Sequence, residues 1–306
     1  MGKKIELYEL DNKSTAIGSM EAAIKAVRLD VSAVIGASWS SHSLAMADVL
    51  QKNKIPMISN YSTSPAVTKI GDYIFRVCYV DTFQAQTISN FAYKTLEAKN
   101  IVILENISST NSRSLSEEVR SSFVQLGGNV LNTLKYKINA SDFSGLINKL
   151  KKFNPDVVVA TGKGFDSALI IEQSKQMGVD KIFIGSDGWS KLMFQYSKEI
   201  DGNYFVSHWH KDTENEVSKK IYPDLKHLGG GAFLSYDAVM VLFDAIKRAQ
   251  SSSPILIKKA LAVTKDFKGT TGNITFNENG DPYKKDSIIV QFDNNKIKYI
   301  KTVKAD

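Results

Sequence analysis

Apolar runs of strand length alternate along this chain with segments of helical period, and that alternation predicts parallel sheets covered by helices. The pattern opens with Ile5-Glu6-Leu7-Tyr8-Glu9-Leu10, read as a strand, and passes into Ile17, Met20, Ile24 and Val27 at helical spacing. Strands follow at 32–36, 56–59 and 73–77, with a helix over 41–52. A second block has strands at 100–105, 129–136, 157–160 and 182–185 and helices near 113–125, 142–152 and 166–177. Gly127-Gly128 and Gly178 are its helix stops. After a strand at 204–206 come a helix near 215–227, the break Gly229-Gly230-Gly231 and an apolar helix over 233–249. The tail turns to β at 273–276, 287–292 and 296–303, the last two joined by Asp293-Asn294-Asn295. No repeat of fixed short period interrupts the pattern.

At 306 residues the chain is long enough for two ordinary domains, each with its own core. Hydrophobic residues make up 43% and charged residues 23%, a globular balance rather than a disordered one. No apolar run approaches the roughly 18 residues of a membrane span, and Met1-Gly2-Lys3-Lys4 does not begin a signal peptide. One cysteine, Cys78, cannot form an internal disulfide, and four scattered histidines lack metal-ligand spacing. The net charge of +7 is spread along the chain without the aromatic and basic strip of a nucleic-acid binder. Lys151-Lys152, Lys258-Lys259 and Lys284-Lys285 read as solvated faces or turns. A P-loop, a G-x-G-x-x-G in strand-helix context, a G-x-S-x-G elbow and a Cys–His pairing are all missing, so an enzyme is not expected, nor any cofactor.

In open parallel sheets ligands bind at the carboxyl ends of the strands, where loop backbone and helix N-termini converge. That rule selects the loops at 37–41, 60–64, 107–114, 162–166 and 186–189. The first two are rich in hydroxyls, and Ser40 and Thr63 are the donors best suited to a carboxylate. Helix capping by Ser40 or Ser41, and closure of a Ser-Pro turn by Thr63, are the competing readings. Asp187 follows a buried-type strand, so it suits an ammonium group, or it is a turn aspartate before Gly188. Trp39 and Trp189 are candidates for the wall around a ligand's apolar part, or for the core. His208-Trp209-His210 would place two histidines on one strand face, a weak metal signal.

Taken in order, these segments resemble the substrate-binding proteins of branched-chain amino-acid ABC transporters, the Leu/Ile/Val-type branch of the type I periplasmic binding proteins. The carriers are IELYELDNKS at 5–14, VIGASWSSHSLAMA at 34–47, IPMISNYSTSPAVT at 55–68, YIFRVCYVDTFQA at 73–85, PDVVVATGKGFDSALIIEQSKQMG at 155–178, IGSDGW at 184–189, LSYDAV at 234–239 and KDFKGTTGNITFNENGDP at 265–282.

The resemblance implies two doubly wound α/β lobes joined by crossover hinges. One lobe would comprise residues 1–80 and 209–278, the other 81–208 and 279–306. It further implies a non-catalytic, extracytoplasmic protein that captures an amino-acid-like ligand between its lobes by hinge closure and hands it to an ABC permease. A sensor of the same fold without transport is the alternative. By position, Ser40 would donate to the ligand carboxylate, Thr63 would help hold the amino-acid head, the Tyr61 carbonyl would meet its ammonium, and Asp187 would meet that ammonium from the other lobe. Three features depart from the family pattern. Asn111 and Lys163 stand where the family commonly has aromatics, which makes the side-chain pocket more polar than a leucine site and suits Lys163 to an acceptor-bearing side chain. The alternative is a lysine reaching to solvent. The family's first strand and helix are also missing ahead of IELYELDNKS, so the chain reads as N-terminally truncated.

Overall fold

The computed structural model describes residues 4–225, 228–283 and 285–305. Lys226, His227 and Lys284, on which parts of the expected helix and lysine pair fall, lie outside the described residues. In chain order the elements to Arg76 are α1 (Ala16–Arg28), β1 (Val34–Ile35), α2 (Ser40–Lys52), β2 (Met57–Ser59) and β3 (Ile74–Arg76). Then come α3 (Asp81–Asn90), running into a π-helical turn at Phe91–Thr95, β4 (Asn100–Asn106), α4 (Thr110–Gln125), β5 (Asn129–Tyr136), α5 (Ser144–Phe153), β6 (Val157–Ala160), α6 (Gly164–Gln176), β7 (Ile182–Gly185) and β8 (Tyr204–Ser207). The remainder is α7 (Glu216–Leu225), α8 (Gly230–Ala249), α9 (Pro254–Ala262), β9 (Phe267–Gly269), β10 (Gly272–Ile274), β11 (Ser287–Asp293) and β12 (Lys296–Val303).

These elements form two compact units. Unit 1 runs to Val80 and resumes over Thr213–Lys285, and unit 2 comprises Asp81–Asp212 and Asp286–Ala305. The second and third crossings thus fall at 212/213 and 285/286 rather than at 208/209 and 278/279.

In unit 1 a parallel sheet of order β1-β2-β3 carries helices on both faces. One face packs Ile58, Phe75 and Val77 against Leu234, Val241 and Leu261 of α8 and α9. The other packs Met57 and Ile74 against Met46, Ala47 and Leu50 of α2 and Ala23 of α1. One expectation fails here. Residues 4–12 form no strand, and Ile5 and Leu7 are 67% and 80% exposed, because no ladder partner reaches them among the described residues. The expected helix forms as α1, with Val27 packed against the core and Met20 and Ile24 exposed. Ile17 is 69% exposed, while Gly18, Ser19, Ala23 and Ala26 are buried, since only small side chains fit where α1 lies close to α2.

Unit 2 is a seven-stranded sheet of order β12-β11-β8-β7-β6-β4-β5, parallel from β5 through β8, with β11 and β12 antiparallel at one edge. Its parallel part follows the doubly wound order in which the winding direction reverses between β4 and β6, and the crevice at that reversal is where such sheets bind ligands. Gly127 (φ +86°) and Gly178 (φ +74°) adopt the left-handed conformation just beyond α4 and α6, as expected of helix stops. Asn294 and Asn295 supply the two positive φ values of the β11–β12 turn. The expected strand at 273–276 is shorter, β10 pairing with β9 before the single bridge Phe276–Pro282. Lys285, read as a solvated turn residue, is buried with its Nζ 2.7 Å from Thr271 Oγ1.

Candidate ligand-binding site

The loops after β1 and β2 make the polar floor of unit 1. The Ala37 carbonyl gathers hydroxyls from Ser43 (2.9 Å), Ser59 (2.9 Å) and Ser62 (3.0 Å), which locks the turn between β1 and α2 onto the loop after β2. Ser40 opens α2 but does not cap it. The N-cap position is Trp39, and the Ser40 Oγ instead accepts the Ser64 N–H at 3.3 Å. That contact brings Ser40 against the segment holding Thr63, and both side chains are buried. Tyr61 is half-buried beside the α8 core. Trp39, the N-cap residue of α2, is 37% exposed and lines a cleft of about 510 Å³ with Ser38, His42, Asn60, Ser235 and Leu10.

In unit 2 the corresponding position is the loop after β7. Asp187 is 6% exposed, its Oδ1 accepting from Gln84 Nε2 at 2.9 Å and its Oδ2 lying 3.0 Å from His208 Nε2. An ionised carboxylate only accepts, so this contact needs the proton on Nε2. The Ser186 Oγ accepts the Gly188 N–H. Asp187 thus sits in the turn closed by the Trp189 N–H on the Ser186 carbonyl at 3.1 Å, as the competing reading expects, and is at the same time a buried carboxylate held on two sides. Gln84, on α3, and His208 were not expected at this position. The sequence pattern marks His208 only as a metal-ligand candidate sharing a strand face with His210. Both lie beyond the end of β8, and they part company: the His210 ring meets the Ile297 carbonyl.

Asn111, in the first turn of α4, donates from Nδ2 to Asp81 Oδ1 at 3.0 Å. Lys163 is the half-buried N-cap residue of α6. These two residues flank the reversal between β4 and β6. Below them Asp166 accepts from Asn106 Nδ2 at 3.0 Å, and burial raises its carboxyl above the ordinary range, with the Lys163 charge acting in the opposite sense. Burial, with Asp166 close by, also pushes the Tyr136 phenol far above its ordinary value. Trp189 does not face this surface. Its ring is 2% exposed among Phe205 and Phe292, and a Cβ at Gly185 would fall 2.0 Å from it, so the expected wall role passes to a core role.

Each unit thus carries a polar surface at its strand ends: hydroxyl-rich and uncharged in unit 1, with a buried carboxylate in unit 2. Polar strand ends on parallel α/β sheets in two units fit a solute-binding protein, and the chain belongs to the periplasmic binding protein family, whose sequence model matches residues 1–296. The leucine-binding protein LivK of Thermotoga maritima is 33% identical and superposes with a TM-score of 0.95 over 99% of this chain and 88% of its own. The branched-chain amino-acid transporter substrate-binding protein LivJ of Streptococcus pneumoniae, solved with isoleucine, is 28% identical with a TM-score of 0.91, covering 99% of this chain and 88% of its own. A leucine-, isoleucine-, valine-, threonine- and alanine-binding protein of Pseudomonas aeruginosa is 25% identical over 287 residues, 92% of this chain and 76% of that protein. The chain is therefore a type I periplasmic binding protein of the branched-chain amino-acid ABC transporter class.

Proposed function

We propose that this protein captures a small neutral amino acid outside the cytoplasm and delivers it, chemically unchanged, to the membrane permease of an ABC importer. The observation that carries the reading is the buried Asp187 carboxylate, fixed by Gln84 and His208 at the end of a parallel strand. An amino-acid head group is an anion and a cation one carbon apart. Ser40 and Thr63 are the donors for its carboxylate, and the Tyr61 carbonyl and Asp187 are the acceptors for its ammonium. Burial of both half-sites from bulk water strengthens each contact. The names of the relatives support leucine, isoleucine, valine, threonine and alanine as the ligands to try first. The two units act as lobes, with the three chain crossings as hinges, and ligand favours the closed arrangement by engaging both half-sites.

A thermal-shift screen against all amino acids tests the proposal, because a ligand that binds only the folded state raises stability by mass action. Members of that group of five are expected to raise Tm, and the ligand recovered from the complex is expected to be unaltered. No shift with any amino acid at millimolar concentration would refute it.

Lys163 and Asn111 favour a second reading, in which the ligand side chain carries an acceptor that meets the Lys163 ammonium. Under that reading Lys163→Ala weakens glutamate or aspartate more than leucine. Equal changes for acidic and aliphatic ligands would remove it.

A further inference from the structure

The loop that carries Thr63 is held from behind by a completely buried cation. Arg76, the last residue of β3, is 0% exposed. Its Nη1 donates to the Ser62 carbonyl at 2.6 Å, and its Nη2 donates to the Ser64 carbonyl at 2.9 Å and to Thr68 Oγ1 at 2.9 Å. Its Nε donates to Asp281 Oδ1 at 2.6 Å, and the same oxygen accepts from Thr68 Oγ1 at 2.9 Å. One planar fork therefore grips the peptide carbonyls on both sides of Thr63, while a carboxylate fixes the plane of the fork. From the front, the Ser64 N–H is taken by Ser40 Oγ and the Ser62 N–H by Ser59 Oγ.

A buried guanidinium is costly unless it is paired and fully hydrogen-bonded, and β3 needs no charge for its own ladder. Hydrophobic packing would fill the space at lower cost. What the arginine adds is directional: two acceptors two residues apart are set at the spacing of its fork, which a lysine ammonium cannot reproduce.

We propose that Arg76 and Asp281 are positioning residues for the ligand. They hold the Ser62–Ser64 backbone in the geometry in which Thr63 and Ser40 receive the carboxylate, so the half-site is set before ligand arrives. This rests on the proposed role of Thr63. Asp281 also lies four residues before the crossing at 285/286, so the pair ties the head-group loop to the segment leading into that crossing.

The test is a double-mutant cycle between Arg76→Lys and Thr63→Val, read by calorimetric titration with leucine, alongside hydrogen exchange of residues 60–65 in the unliganded protein. Arg76→Lys is expected to weaken leucine about tenfold when Thr63 is present and less than about twofold in the Thr63→Val background. Exchange at Ser62 and Ser64 is expected to accelerate while the global unfolding transition persists. Asp281→Asn, at the more exposed end of the pair, is the second variant if Arg76→Lys does not fold, and the same dependence on Thr63 is expected of it. Equal losses in both backgrounds, or unchanged exchange in the loop, would overturn the proposal. Should the wild-type protein bind no amino acid, the functional reading fails, and the exchange measurement still decides whether the clamp holds the loop.

Discussion

Asp187 illustrates how much work falls to a single residue. Its two oxygens meet separate donors, Oδ1 accepting from Gln84 Nε2 and Oδ2 facing His208 Nε2, which offsets the cost of burying the group. Replacing it with asparagine keeps the size and one acceptor but removes the charge. Asp187→Asn is expected to weaken leucine by about 10- to 100-fold, the loss of a hydrogen bond to a charged group worth about 1.5–3 kcal/mol. The control is 4-methylpentanoate, leucine without its amino group. Its affinity should change little, so that the preference for leucine collapses. If calorimetry shows both ligands weakened equally, Asp187 does not meet the ammonium.

At the level of elements, α1 separates two kinds of position that look alike in sequence. Ile17 lies 69% exposed, so Ile17→Lys is expected to change stability by less than about 0.5 kcal/mol in urea unfolding. Its neighbour Gly18 is packed tightly: an added Cβ would come within 2.2 Å of the Asn12 carbonyl oxygen and 2.9 Å of the capping Thr15 Oγ1. Gly18→Ala should therefore destabilise by about 1–3 kcal/mol, and a neutral result would mean that the turn before α1 yields. Apolar periodicity marks the helix here, while its buried side is set by the small residues Gly18, Ser19, Ala23 and Ala26.

A largely polar buried face hid α3. Its buried positions include Asp81, Gln84 and Thr87, which are inside because they meet Asn111, Asp187 and Ser287 rather than because they avoid water. Helix α9 did leave a signal, Ser253 followed by Pro254 at the first turn. Strand ends were legible, since β-rich runs ending in Ser, Thr, Asn and Gly declare themselves locally. The residues that brace them were not, because Gln84 and Asp187 are 103 positions apart and Arg76 and Asp281 are 205.

For the molecule as a whole, unfolding couples such long-range contacts to pH. The His210 ring is held as a single neutral tautomer. Its Nε2 faces the Ile297 carbonyl at 3.1 Å and must carry a proton, and its Nδ1 accepts the Asp212 N–H at 3.2 Å. A second proton would be set against that N–H. Burial accordingly lowers the folded pKa of His210 below its ordinary value, although the Ile297 carbonyl and the Asp212 carboxylate pull the other way. With the folded value below the unfolded value of about 6.5, both states are neutral at pH 7.5 and the residue contributes nothing to the pH dependence there. As pH falls through about 6.5 the unfolded chain takes up the proton first, so stability declines. Asp166 has the opposite sign, its raised carboxyl favouring the fold as pH drops. Asp72, lowered chiefly by its hydrogen bond from Lys258, loses its contribution only as pH falls below the unfolded carboxylate value of about 3.9. The expected outcome is a fall in the urea midpoint between pH 7.5 and 5.5 that is shallower in His210→Gln. Parallel slopes for the two proteins would show that His210 titrates alike in both states, and that its two hydrogen bonds do not hold the neutral form.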